Sequence, residues 1–170
     1  VDKLLLLGLD LNALDRNGST ALIHACGQGE METVERLLAH GADAGVTASS
    51  GATAVWAALS QGHMPILRVL LLQGADVNQT VAGYPPLNLA CASGNAEAVA
   101  LLLENGADVG AMDAQGQNAL HAVAVFLASG NARIEAVVLV DSLMRAGAAM
   151  DAPDKYGQLP MHLLCGAYFH

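Results

Sequence analysis

Leucine-rich apolar runs recur along the chain, and each one ends at a glycine. The glycines that follow these runs are Gly8, Gly41, Gly74, Gly106 and Gly147. Their spacings are 33, 33, 32 and 41 residues. A fixed period of about 33 residues is typical of stacked repeats, in which one supersecondary unit cannot bury its apolar face alone. The pattern therefore predicts a solenoid, a fold that offers a ridged surface more readily than a pocket.

Each period contains the signals of two helices. In the first complete unit, Gly18 marks a tight turn where a positive φ favours glycine, and Thr20 offers its hydroxyl as an N-cap. We expect a short helix from there to about Gly29. A second helix follows, because apolar residues recur at i, i+3 and i+4 from Val34 onwards.

The register of the glycines divides the chain, which we predict to be a single domain over residues 1–170. A partial unit occupies 1–14, complete units occupy 15–47, 48–79 and 80–112, an extended unit occupies 113–153, and a partial terminal unit occupies 154–170.

The fourth unit is longer than the others. Gly116 and Gly147 are 31 residues apart, whereas the equivalent glycines elsewhere are 23 apart. An even division of the eight extra residues lengthens both helices by about one turn. The tip would then lie near Ser129-Gly130-Asn131. Two interpretations stay open: a tolerated extension, or a protruding element that shapes a partner site.

The segments "QGHMPILRVLLLQGADVN" at 61–78 and "NGADVGAMDAQGQNALHA" at 105–122 resemble the ankyrin repeat. The resemblance covers essentially the whole chain. It implies an all-α ankyrin-repeat solenoid of helix-turn-helix units joined by β-hairpin-like turns. The family histidine at the start of the first helix is present at His121 and His162, but Ile23, Trp56 and Asn88 replace it elsewhere. The polar contact that this histidine makes is therefore in doubt for the first three units.

Composition narrows the class of protein. The chain has 54% hydrophobic residues, yet its apolar runs are too short for a membrane span, and no signal peptide is visible. A net charge of −9 argues against nucleic acid as a partner. Three cysteines without a C-x-x-C pair fit a reducing compartment. We expect a cytoplasmic protein with neither a membrane nor a nucleic-acid partner.

The residue types that carry chemistry do not form a site in the sequence. Cys26, Cys91 and Cys165 share one register position, where a free cysteine acts as a small hydrophobe. The histidines lack the spacing of a metal site, and no nucleotide-binding or hydrolase motif is present. The aspartates of the recurring Gly-Ala-Asp are explained by turn stabilisation. We predict no catalytic residue, no metal and no cofactor.

In ankyrin proteins, partners usually meet the concave side, which is formed by turn tips and outward positions of the first helices. Transferring these positions by register gives a set of expected contact residues. They are Arg16, Asn17, Ser19, Gln28, Ser49, Ser50, Trp56, Ser60, Gln61, Val81, Tyr84, Ser93, Gln115, Gln117, Phe126, Asn131, Lys155 and Tyr156. Trp56 has two interpretations, packing between units or a contact anchor. For the turn tyrosines, Tyr84 and Tyr156, we favour a contact role.

The resemblance implies a protein–protein interaction module without catalysis of its own. The alternative is the substrate-docking domain of a larger enzyme, such as a bacterial effector that modifies a host protein in the host cytosol; NAD-dependent modifiers of host caspases are one example. The apolar ends "VDKLLLL" and "HLLCGAYF" also allow self-association.

Overall fold

The computed structural model describes residues 10–128 and 133–163. The chain divides into two compact units, Val1–Val81 and Ala82–His170. The two predicted partial units, the proposed tip at 129–131 and Cys165 lie partly or wholly outside the described residues. The prediction of one domain with the repeat boundaries given above stays a prediction.

The first unit contains two helical hairpins. Helices α1 (Ala21–Gln28) and α2 (Met31–Ala39) form the first, and α3 (Ala54–Ser60) and α4 (Met64–Leu72) form the second. The first helices begin at threonine caps, because the hydroxyl of Thr20 accepts from the N–H of Ile23 and that of Thr53 from the N–H of Trp56. Gly29, with a φ of 76°, is the C-cap that ends helix α1, as predicted.

Within this unit, equivalent helices pack side by side and form two layers. Helix α1 contacts α3 in the layer of first helices, and α2 contacts α4 in the layer of second helices. Val34 and Leu37 of α2 are buried, as their spacing predicts, whereas Leu38 stays partly exposed. The apolar stripes of both helix types therefore build one core between the layers.

The second unit repeats this arrangement with longer helices at its end. Its helices are α5 (Pro86–Ala92), α6 (Ala96–Glu104), α7 (Ala119–Ala128) and α8 (Arg133–Arg145). First helices α5 and α7 pack together, and second helices α6 and α8 pack together. Another helical stretch covers 160–163. The all-α repeat solenoid predicted from the sequence is confirmed.

Seven of the eight extra residues of the fourth repeat lie in its two helices. Helix α7 has 10 residues where α5 has 7, and α8 has 13 where α6 has 9. The predicted gain of about one turn for each helix is confirmed.

Candidate functional site

The turns that precede the first helices are held by aspartate side chains. In three of them an aspartate stands three residues before the turn glycine, and its Oδ1 accepts the backbone N–H groups two and four residues later at 2.8–2.9 Å. These aspartates are Asp15, Asp113 and Asp154. The side chain thus replaces solvent as the acceptor for two turn amides, which fixes the backbone of each tip.

These hydrogen bonds also shift the acidity of two of the carboxyl groups. The backbone N–H of Ser19, followed by the His24 ring at 2.9 Å, lowers the pKa of Asp15. Burial alone would raise the pKa of Asp154, but the N–H groups of Gln158 and Tyr156 outweigh it and lower the pKa. Both turns are therefore stabilised by an ionised aspartate.

Neighbouring turns within each unit are joined through their backbones. In the first unit the N–H of Ser49 donates to the carbonyl of Gly18 at 2.7 Å. In the second unit the N–H of Lys155 donates to the carbonyl of Gln115 at 2.9 Å. The turn glycine at each contact has little free space, because a Cβ at Gly18 would meet Ser49 and a Cβ at Gly116 would lie 3.2 Å from the Lys155 nitrogen. The tips in each unit therefore form an ordered row.

The structure places most of the expected contact residues on the surface. The exposed ones are Arg16, Asn17, Gln28, Ser49, Ser50, Ser60, Gln61, Ser93, Gln115, Lys155 and Tyr156. The half-buried ones are Ser19, Trp56, Val81, Tyr84 and Gln117. The side chain of Gln117 already donates to Asp154 of the next turn at 3.3 Å. Asn131 lies outside the described residues.

The two turn tyrosines occupy different environments. Tyr156 is 77% exposed. Tyr84 is half-buried, and burial, reinforced by the negative charge of Asp113, raises the pKa of its phenol. Because a tyrosine orders at low entropic cost and brings both an apolar ring and a hydroxyl, Tyr156 is the stronger candidate for a contact with a partner.

The expectation that Phe126 lies open to a partner is wrong. Its side chain is 8% exposed, and a Cβ added to Gly94 would meet Cε2 and Cζ of its ring. Gly94 has a φ of 71° and presents no side chain, so it leaves room for the ring beside the end of α5. Phe126 is therefore part of the core of the second unit.

Two buried side chains in the position of the family histidine reach the next turn. His121 is fully buried; its Nε2 donates to the carbonyl of Gln158 at 3.1 Å, and its Nδ1 lies within hydrogen-bond distance of the backbone nitrogen and the Oδ1 of Asn118. Asn88, in the same register position, donates through Nδ2 to the carbonyl of Gln117 at 2.9 Å. In the third repeat, the polar contact that was in doubt is therefore made by an asparagine.

The groups with reactive side chains have structural roles. Cys26 and Cys91 are both fully buried, and burial raises the pKa of each thiol to about 12. Asp43, Asp76 and Asp108 each accept a backbone N–H two residues later, at 2.8–2.9 Å. Within the described residues, no three His, Cys, Asp or Glu side chains are placed to hold a metal ion. The turn interpretation of the repeated aspartates is confirmed.

Sequence reasoning missed the aspartates that fix the tips. Their signal was present, since Asp15, Asp113 and Asp154 each precede a turn glycine by three residues. The same spacing is absent before Gly51 and Gly83, where Ala48 and Thr80 occupy the position. The spacing D-x-x-G therefore identifies the turns that are closed by a side chain.

Among residues 10–128 and 133–163, no helix has the length and apolar character needed to cross a membrane. A search of curated proteins found no match to this chain. A family model described as ankyrin repeats, in three copies, matches residues 1–81, 72–137 and 87–169. Because these matches extend over nearly the whole sequence, the chain belongs to the ankyrin repeat family.

Proposed function

We propose that this chain binds another protein through its turn tips and the exposed positions of its first helices. Ankyrin repeats are in general non-catalytic modules for protein–protein interaction. The family description gives only this general role. The contact positions that we propose rest in addition on their exposure and on the geometry of the turns. The observation that carries the proposal is the exposed ring of Tyr156 on a turn whose backbone is fixed by Asp154.

Preorganisation supports a binding role for this turn. The N–H of Tyr156 donates to Asp154 at 2.8 Å, and the N–H of Lys155 donates to the carbonyl of Gln115. An ordered backbone loses little conformational entropy when a partner docks, so more of the contact energy appears as affinity. Large exposed aromatic side chains are also frequent among the residues that dominate binding energy.

The chemistry of the exposed positions supports a protein partner with a shaped and mostly uncharged surface. Ser49, Ser50, Ser60 and Ser93 are small and neutral. Such side chains allow close approach and adaptable hydrogen bonding. Arg16 and Lys155 add isolated positive charges in a chain whose net charge is −9, so specificity would depend on shape more than on a strong field.

A comparative pull-down tests the proposal. Wild-type protein and Tyr156→Ala are immobilised, and the proteins that each retains are quantified by mass spectrometry. We expect the amount of a partner retained by Tyr156→Ala to be at least tenfold lower than the amount retained by wild type, as is typical of an aromatic anchor. Glu104→Ala is the matched control, since Glu104 is exposed at the end of a second helix. Retention of the same partners by Tyr156→Ala and wild type would rule out this turn as the contact.

A further inference from the structure

An apolar groove lies between the second helices of the first unit, α2 and α4. Its volume is about 330 Å³, and its lining includes Leu38 of α2 together with Val69 and Leu72 of α4. Glu35 and Gln73 also line it. This volume is near the lower end of the range for ligand sites, which suits one or two side chains of a peptide. The groove belongs to the layer of second helices, so it is separate from the turn tips.

Leu72 is an unusual residue for its position. It stands two residues before the turn glycine, and its equivalents in the other second helices are Ala39, Glu104 and Arg145. Its side chain is 82% exposed. A single exposed leucine is common on soluble proteins, but this one continues the apolar floor formed by Leu38 and Val69. The exposed surface is therefore a connected apolar strip.

Negative charge lies at one end of this strip. A second cavity of about 300 Å³ shares Leu38 and Gln73 with the first and is lined further along by Asp43 and Asp76. The Oδ1 atoms of these aspartates accept backbone N–H groups of their own turns, which holds both carboxylates in place. Among the residues that line the two cavities, all of them in the described part of the chain, none is lysine or arginine.

We propose that this groove binds a short peptide segment of a partner protein that carries one apolar anchor followed by basic residues. The anchor would pack on Leu38, Val69 and Leu72, and its burial would supply the nonpolar part of the affinity. Lysine or arginine side chains would lie beside Asp43 and Asp76, where complementary charge speeds association and fixes the direction of the peptide. This proposal does not depend on the turn tips.

Titration followed by ¹⁵N NMR tests the groove with a defined probe. The probe is the synthetic peptide acetyl-Leu-Ser-Lys-Gly-Lys-amide, compared with an otherwise identical peptide in which both lysines are glutamate. We expect the basic peptide to shift the amide signals of Leu38, Leu72 and Gly45, and the acidic peptide to bind at least tenfold more weakly. A higher salt concentration should weaken the binding of the basic peptide.

Two variants separate the contributions. Leu72→Glu removes the apolar anchor site but adds a negative charge. Because Leu72 is 82% exposed and α6 carries Glu104 at the same register, we expect this variant to fold as wild type does. We expect at least tenfold weaker binding of the basic peptide, whereas attraction by charge alone would make binding stronger. Asp43→Asn keeps the acceptor for the Gly45 N–H. Because it removes a negative charge, it should reduce the salt dependence of binding of the basic peptide.

The control variant is Glu104→Gln, in the second unit, which should bind the peptide as wild type does. The proposal is overturned if the basic peptide shifts none of the groove signals at millimolar concentration. It is also overturned if Leu72→Glu binds as tightly as wild type, or if the acidic peptide binds equally well.

Discussion

Replacement of Gly94 by alanine tests how the extended helix α7 is packed. Gly94 has a φ of 71°, and a Cβ there would overlap Cε2 and Cζ of the Phe126 ring. Gly106, also in the second unit, has a φ of 85°, but a Cβ there would meet nothing within 4 Å. Because both positions need the left-handed conformation and only one is crowded, Gly106→Ala is a matched control.

The magnitudes follow from the two costs. An alanine held in the left-handed region costs about 1–2 kcal/mol, so Gly106→Ala should lower the free energy of unfolding by about that amount. Overpacking in a core adds roughly 1–3 kcal/mol, so Gly94→Ala should cost about 2–5 kcal/mol in total. The difference between the two variants measures the overlap with Phe126.

Urea denaturation followed by circular dichroism measures these free energies of unfolding. The same substitution is also measured in a protein that carries Phe126→Ala. In Phe126→Ala the ring is absent, so adding Gly94→Ala should cost no more than the 1–2 kcal/mol of backbone strain. The reasoning is refuted if Gly94→Ala and Gly106→Ala cost the same in wild type. It is also refuted if the cost of Gly94→Ala does not change when Phe126 is removed.

Three further predictions concern buried polar groups and thiols. Asn88→Asp should lower the free energy of unfolding, measured by urea titration, by at least about 1–3 kcal/mol. The substitution removes the Nδ2 donor to the Gln117 carbonyl, and the buried Oδ1 already has no hydrogen-bond partner. An unchanged urea midpoint would contradict this contact. Since the folded-state pKa of Asp154 is lowered, its ionisation stabilises the fold above the unfolded pKa near 4 and that stability is lost as pH falls through the folded value. Unfolding measured at pH 6 and pH 3 should therefore show a stability gap between wild type and Asp154→Asn that narrows at pH 3, and a constant gap would refute the assignment. Cys26 and Cys91, with thiol pKa values of about 12, should react with iodoacetamide only after unfolding, as followed by peptide mass spectrometry, and labelling of native protein at pH 7.5 would show that they are accessible.

The helices could be predicted because their signals are local. A glycine with a positive φ, a threonine cap and an apolar stripe each act within a few residues, so the register alone placed α1, α2 and the lengthened α7 and α8. The count from Gly116 to Gly147, with an even division of the extra residues, gave about one added turn in each helix. Local patterning was therefore sufficient for the fold.

The candidate site could be predicted only in part, because the exposure of a side chain depends on the neighbouring repeats. Phe126 shares its register position with exposed polar residues such as Ser93, but the bare backbone at Gly94 leaves room for its ring. Tyr84 follows a turn glycine whereas Tyr156 precedes one, and only the second is open. The packing of Phe126 has no signal within its own repeat, whereas the difference between the tyrosines could have been read from the side of the turn glycine on which each one lies.

A site-specific cross-link tests the central proposal most directly. Benzoylphenylalanine replaces Tyr156 in one protein and Glu104 in another, and both are irradiated in the presence of a partner recovered by the pull-down. Both positions are exposed, but only the first lies on a turn tip. We predict a covalent adduct with the partner from position 156 and none from position 104. An adduct from position 104 alone would contradict binding through the turn tips.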